Sequence, residues 1–376
     1  MRILITISSL RGGGAERAVV TLSRMWVDSG HDVRVLTISS SEHDAYRLDA
    51  RVSRAELDLE RSSSSSAAAI WNSALRLLRL KREMRRYDPD VIVAFMPTAS
   101  ILSALAAFGT RTKVIGCERT FPPQAPLGPV REFVRRWGYG LLDAVVAQTG
   151  KSADWLRTNT RARVIKTISN PATWPLQQNP PMVPPESVCR PGRQILLAAG
   201  RLELEKGFAG LLRVFSDLCG KHPDWDLVIV GEGSLRPEFE RFIAARNLTE
   251  RAFLPGRVGN MADWYSRASI FVLSSIFEGF PNALTEALAY GLPAVSYDCD
   301  TGPRDIIRDG IDGVLVPNGQ PQLLADALRR LMRNDEERQR MSQRAPEIRQ
   351  RLSEELIAQD WRSVFDQLAM NPDSHR

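Results

Sequence analysis

The sequence predicts an α/β protein of two domains, each built on a parallel, doubly wound sheet. Three observations carry this. Apolar runs of strand length alternate with helical patterns along most of the chain, the order that produces βαβ units. A length of 376 residues is enough for two separate cores. The alternation is interrupted once, between Ser169 and Arg193, where seven prolines run from Pro171 to Pro191. A stretch of that kind makes a stiff linker, so the expected division is 1–168, a linker over 169–192, and a second domain over 193–345.

Composition narrows the function classes. Fifty basic against 44 acidic residues leave a net charge of +6, which favours anionic partners. An aromatic content of 7%, with arginines beside leucines, does not suit a base-stacking surface, so no nucleic acid is expected. No apolar run reaches the roughly 18 residues a spanning helix needs, and Ile3 to Ile7 is too short for a signal peptide. The scattered Cys117, Cys189, Cys219 and Cys299 read as reduced thiols. The expected location is cytoplasmic, with any membrane contact peripheral. Four histidines far apart do not make a zinc set, and Asp298 and Asp300 alone are a weak cation site, so no metal is expected.

In chain order, Arg2 to Ser8 predicts a buried strand, followed by a glycine-rich turn, Gly12 to Gly14, and a helix through Val19, Leu22 and Trp26. Backbone N–H groups at such a turn can approach a phosphate. Arg17 replaces the third glycine of the dinucleotide fingerprint, so no nicotinamide or flavin site is expected. A second strand lies in His31 to Ile38, and Ser62 to Ser66 marks an irregular stretch.

The helix expected near Ala67 to Arg86 has Ile70, Leu77, Leu80 and Met84 at core spacing. Trp71, Leu75 and Leu78 lead on the other side into Arg79, Arg82, Arg85 and Arg86. Apolar residues joined to arginines suit an anionic bilayer surface. Arg131, Arg135, Arg136 and Trp137 form a second such segment, so helix 67–86 and segment 131–137 are both expected at a membrane. Between them, the strand Lys113 to Gly116 runs into Cys117-Glu118-Arg119-Thr120. Charged residues directly after a strand lie where open α/β sheets bind ligands, making Glu118 and Arg119 site candidates.

The second half restarts with a strand, Gln194 to Ala199, then Gly200-Arg201 and Lys206-Gly207. A planar guanidinium and a compact ammonium at this spacing can converge on one diphosphate. Further on, Ile270 to Ser274 is a short buried strand stopped by Gly279 and Pro281. Leu284 and Leu288 then continue a buried helix from Asn282. Glu278 and Glu286 thus flank one helix amino terminus, which offers partial positive charge to a phosphate with acids nearby for hydroxyls.

These motifs carry a likeness. Gly200-Arg201 with Lys206-Gly207, Gly231-Glu232-Gly233, and Glu278-Gly279-Phe280-Pro281-Asn282 with Glu286 resemble retaining glycosyltransferases of family 4 with the GT-B fold. Within that family they are similar to bacterial enzymes that add N-acetylhexosamine or hexose units to polyprenyl-diphosphate-linked glycans. The likeness is specific from Gln194 to about Pro317. In the first half it rests on Gly12 to Arg17 and on Cys117 to Thr120.

The resemblance implies two Rossmann-like domains facing across a cleft, the first binding acceptor, with a tail helix over 350–370 crossing back to it. It implies that Arg201 and Lys206 hold the donor diphosphate, Glu286 the ribose hydroxyls and Glu278 the transferred sugar. Phe280, Pro281 and Asn282 would line the same pocket, backbone near Arg257 and Val258 would meet the base, and the loop with Gly13 and Gly14 would close over phosphates. Several relatives carry a histidine in the segment where this chain has Arg119. A guanidinium is a poor proton shuttle, so Arg119 would steady a phosphate instead. The implied activity is transfer of a sugar from a nucleotide diphosphate sugar, UDP by likeness, to a lipid-linked glycan acceptor, with no separate cofactor. A sugar-nucleotide epimerase of the same fold and a GDP-mannose-dependent mannosyltransferase are the alternatives.

Overall fold

A computed structural model describes residues 1–59 and 66–370. Most of the Ser62 to Ser66 stretch, and the Ile70 side chain, lie outside the described residues. The chain forms two compact units, Met1–Asn170 with the C-terminal segment from Glu354, and Pro171–Ser353.

Unit 1 runs β1 (Arg2–Ile7), α1 (Gly14–Asp28), β2 (Asp32–Thr37), β3 (Ser53–Glu56), α2 (Ser66–Tyr87), β4 (Val91–Phe95) and α3 (Pro97–Ala107). It continues through β5 (Lys113–Glu118), α4 (Pro129–Gly138), β6 (Ala144–Ala147), α5 (Gly150–Asn159) and β7 (Ile165–Thr167). Its sheet has the order β3-β2-β1-β4-β5-β6-β7, every pair parallel. Helices on both faces explain the unbroken apolar inner strands, because β1, β4, β5 and β6 are buried on both sides. Ile3, Ile5, Val93 and Phe95 face one side, while Leu4, Ile92 and Ala94 face the other, as strand alternation requires.

Unit 2 contains β8 (Gln194–Ala199), α6 (Phe208–Cys219), β9 (Trp225–Val230), α7 (Arg236–Ala245), β10 (Ala252–Gly256), α8 (Met261–Arg267), β11 (Ile270–Leu273) and α9 (Asn282–Ala289). It ends with β12 (Ala294–Asp298), α10 (Pro303–Ile306), β13 (Gly313–Pro317), α11 (Pro321–Arg333), α12 (Asp335–Arg344) and α13 (Ile348–Arg351). The sheet order is β10-β9-β8-β11-β12-β13, again all parallel. The last helix, α14 (Glu354–Met370), is grouped with unit 1. There Trp361 and Phe365 pack against Trp26 of α1, at ring-centroid distances of 5.2 and 5.6 Å.

The proline-rich stretch does not stand apart as a linker. Ala172 and Leu176 are buried in unit 2's core, and Asn179 N–H donates to the Gly259 carbonyl at 3.0 Å while Gly259 N–H donates to the Pro181 carbonyl at 2.7 Å. Gly259 is needed there, because a Cβ on it would lie 1.6 Å from the Asn179 carbonyl oxygen.

Candidate active site

In open α/β sheets ligands bind beyond the carboxyl ends of the strands where the strand order reverses. In unit 2 that reversal falls between β8 and β11. The two loops leaving these strands are the ones that carry Arg201, Lys206 and Glu278.

They are stitched together. Lys206 Nζ donates to Glu278 Oε1 at 2.6 Å, and Ser275 Oγ donates to the same oxygen at 2.6 Å. Ser274 Oγ donates to the Lys206 carbonyl at 2.9 Å, and Ile276 N–H to the Glu205 carbonyl at 2.8 Å. Two glycines permit close approaches here, Gly207 between these two loops and Gly231 between the loops after β9 and β8. Gly207 has φ 65°, and a Cβ on it would stand 2.1 Å from the Ser274 carbonyl oxygen; at Gly231, φ 142°, it would stand 1.8 Å from that of Gly200. Both backbones are conformations that L side chains avoid.

Arg201 is exposed, and its Nη2 donates to Glu205 Oε1 at 2.7 Å. The two cations therefore do not converge on one point here, since each is held by a different acid. Pro281 caps α9, so Asn282 rather than Pro281 is its first residue. Phe280 is buried in the core with Val258, so only their backbone can face a ligand. Arg257 is exposed, beyond the end of β10. Glu286 is 3% exposed and accepts a hydrogen bond from Tyr265 Oη at 3.0 Å. Nothing local in the sequence marks Tyr265, on α8, as the partner of Glu286, 21 residues further on. Cys299 is no competing nucleophile, since burial and the Glu278 charge push its thiol up to about 12. Asp298 is occupied by Arg304, whose Nε and Nη2 donate to its two oxygens at 2.9 and 2.5 Å.

In unit 1 the order reverses between β1 and β4. Gly12, at φ 115°, and Gly13, the N-cap of α1, follow β1. The Glu16 carboxylate lies over Gly13, 2.3 Å from where a Cβ would be. The amino end of α1 thus already faces a negative charge, which a phosphate would have to displace. After β4, Met96 caps α3 at φ 76°, a strained backbone for a non-glycine residue, and no local feature of the sequence announces it.

Glu118 and Arg119 part company. Consecutive strand residues face opposite sides, and Glu118 points into the interior, where it is 1% exposed. It accepts from Tyr139 Oη at 2.9 Å and Thr120 Oγ1 at 3.3 Å, with Arg135 Nη1 at 3.7 Å. Burial raises its pKa, and Arg135 and Tyr139 oppose that rise. Glu118 is therefore a core ion-pair partner rather than a ligand-facing acid. Arg135, expected at a lipid surface, is corrected with it: the side chain is buried, bonded to Glu132, and lies 4.7 Å over Trp155.

Arg119 lies on the other face, stacked 4.4 Å over Phe95, with Nη1 donating to Asn170 Oδ1 at 2.8 Å. The Gln148 amide, turned so that its nitrogen donates to the Arg119 carbonyl, also accepts from Nη1 at 3.2 Å. Its Nε and Nη2 find no hydrogen-bond partner among the described residues. Buried donors normally have one, which sets this guanidinium apart from the fully paired Arg193 on Asp226.

The expected membrane helix is α2. Leu80 and Met84 are buried, Leu77 is half-buried, and Trp71 and Leu78 are 67% and 63% exposed. Leu75 turns partly into the core, contrary to expectation, while Arg82, Arg85 and Arg86 are exposed. Arg79 also reaches the Leu57 carbonyl, at 2.6 Å.

Comparison with known proteins decides the family. A model of glycosyl transferases group 1 matches residues 184–348, and one of glycosyltransferase family 4 matches 12–172. The chain is a glycosyltransferase. This glycosyltransferase is 28% identical, over 97% of its length, to an exopolysaccharide phosphotransferase of Streptomyces coelicolor, of which it spans only 40%. It is also 28% identical to an N-acetylgalactosaminyltransferase of Campylobacter jejuni, covering 89% of this chain and 90% of that one; that enzyme is named for an undecaprenol-diphosphate-linked glycan. Among solved structures, TarM of S. aureus, crystallised with UDP, superposes with a TM-score of 0.79 at 15% identity, covering 97% of this chain and 99% of that one. The fold is GT-B.

Proposed function

We propose that this glycosyltransferase moves a hexose or N-acetylhexosamine from a UDP-sugar to a lipid-linked glycan acceptor, with retention of anomeric configuration. The observation that carries the reading is the contact of Lys206 with Glu278 at the strand-order reversal of unit 2, beside the amino end of α9. The UDP in the TarM crystals and the diphosphate-linked glycan in the Campylobacter enzyme's name support the choice of donor and acceptor.

Lys206 is held ready by an acid, and a donor diphosphate would share its charge. Arg201, exposed on the neighbouring turn, would swing from Glu205 to the same group. With the positive end of α9 they would stabilise charge growing on the leaving diphosphate. Glu278 would then accept hydrogen bonds from the transferred sugar, and Glu286 from the ribose. Glu286 is too enclosed to act as a nucleophile, so no covalent intermediate is invoked; the leaving phosphate takes the acceptor's proton. Unit 1 would bind the acceptor, with Arg119 steadying a phosphate, and the enzyme would work on the cytoplasmic face of a membrane that its α2 touches. No separate cofactor or metal is invoked.

The test follows product by NMR, with donor alone and with donor plus a diphosphate-linked acceptor. Transfer only in the second case fits this reading, whereas an epimer from donor alone would make the protein an epimerase. Losing one charge-stabilising donor costs on the order of 3 kcal/mol, so Lys206→Ala should cut transfer about a hundredfold. Near-normal turnover in that variant would remove Lys206 from the mechanism.

A further inference from the structure

The outer face of α4 is apolar where a solvated helix would be polar. Val130, Phe133, Val134 and Trp137 recur at i, i+3, i+4 and i+7, one face of a helix, and are 75%, 63%, 42% and 44% exposed. Phe133 and Trp137 are neighbours, with ring centroids 5.9 Å apart. Below them the helix is pressed onto α3, because a Cβ on Gly138 would meet Ile101 at 3.0 Å. Leu105, one turn after Ile101 on α3, is 40% exposed, and Phe108, just past the end of α3, is 72% exposed. An exposed apolar face such as that of α4 marks an interaction site.

The charges beside it choose the partner. Of the charged residues of α4, the one acid, Glu132, is turned inward onto Arg135, and Arg135 is itself buried against Glu118. What remains outside is cationic: Arg131 and Arg136 are exposed, and the Arg161 guanidinium lies over the Trp137 ring. A row of aromatic and aliphatic side chains bordered by arginines matches the boundary between anionic headgroups and acyl chains.

We infer that α4 is the element that inserts into an anionic bilayer, with Val130, Phe133 and Trp137 entering the acyl boundary and Arg131 and Arg136 on the phosphates. This rests on the reading that the acceptor is carried by a lipid. It assigns insertion to an apolar face rather than to the arginines of either helix, and it gives Arg135 the opposite role from its neighbours, an internal anchor.

The test is co-sedimentation of the full chain with vesicles of phosphatidylcholine, alone and with phosphatidylglycerol, for the wild type and for Val130→Ser/Phe133→Ser/Trp137→Ser. The wild type should bind the anionic vesicles. The triple variant, its melting temperature unchanged, should partition at least about tenfold less, given what three apolar side chains gain by burial. Phe133→Asp alone should give the same direction if the triple variant does not fold. Equal partition of variant and wild type, or no binding of the wild type, overturns the inference. So does a loss of self-association in the variant without any change on lipid, which would assign the face to a second copy. Transfer to a short, water-soluble diphosphate acceptor is measured in parallel. If vesicle binding behaves as stated while no acceptor is ever glycosylated, the functional reading falls and the docking face stands.

Discussion

At the scale of single residues, the candidate site depends on which acid is held by what. Glu286 accepts a hydrogen bond from Tyr265, so on the proposed reading Tyr265 is a positioning residue: it touches the carboxylate proposed to meet the ribose, not the reactants. A hydrogen bond to a charged group contributes about 1.5 kcal/mol or more, and Tyr265→Phe should weaken nucleotide binding roughly tenfold. A purely structural role would weaken all nucleotides alike. The telling comparison is UDP against 2′-deoxy-UDP, measured calorimetrically: discrimination between them should shrink in the variant. If the variant discriminates as well as the wild type, Tyr265 does not act through Glu286. The acid and base candidates of unit 2 were legible in the sequence because Gly279 and Pro281 break the pattern so sharply. Which of them touch was not, since Lys206 and Glu278 are 72 residues apart.

At the scale of elements, the Glu118 and Arg119 pair shows where reading a sequence stops. Both follow an apolar strand and both looked ligand-facing. The pleat sends them to opposite sides and both are buried; only the elements covering each side decide what each one meets. Arg135 was misread for the same reason: in sequence it is one of three arginines on α4, and nothing local tells it from Arg131 or Arg136. Besides Glu132, one turn away on the same helix, its buried partner is Glu118 on β5. Removing one member of a buried ion pair costs about 3–5 kcal/mol because the other charge is left stranded. Arg135→Met should therefore destabilise the protein by that order in urea unfolding, and adding Glu118→Gln should recover part of the loss. If the double variant is no more stable than Arg135→Met, the two charges are not coupled.

At the scale of the whole molecule, the alternation of strands and helices made the fold class legible. Long-range packing did not show through. The prolines from Pro171 onward read as a spacer, yet their backbone bonds to Gly259 and their apolar neighbours enter unit 2's core. Proline fixes the local chain and says nothing about what it lies against. The order of the strands was equally hidden, and it is that order which brings the β8 and β11 loops side by side.

On the proposed reading the β8 and β11 loops hold a nucleoside diphosphate. Calorimetric titration of UDP and of GDP into the wild type, Lys206→Ala and Glu286→Gln decides this. One site per chain, preferring UDP and weakened about tenfold or more in each variant, is the predicted result; a nucleotide bound equally well by all three proteins would contradict it.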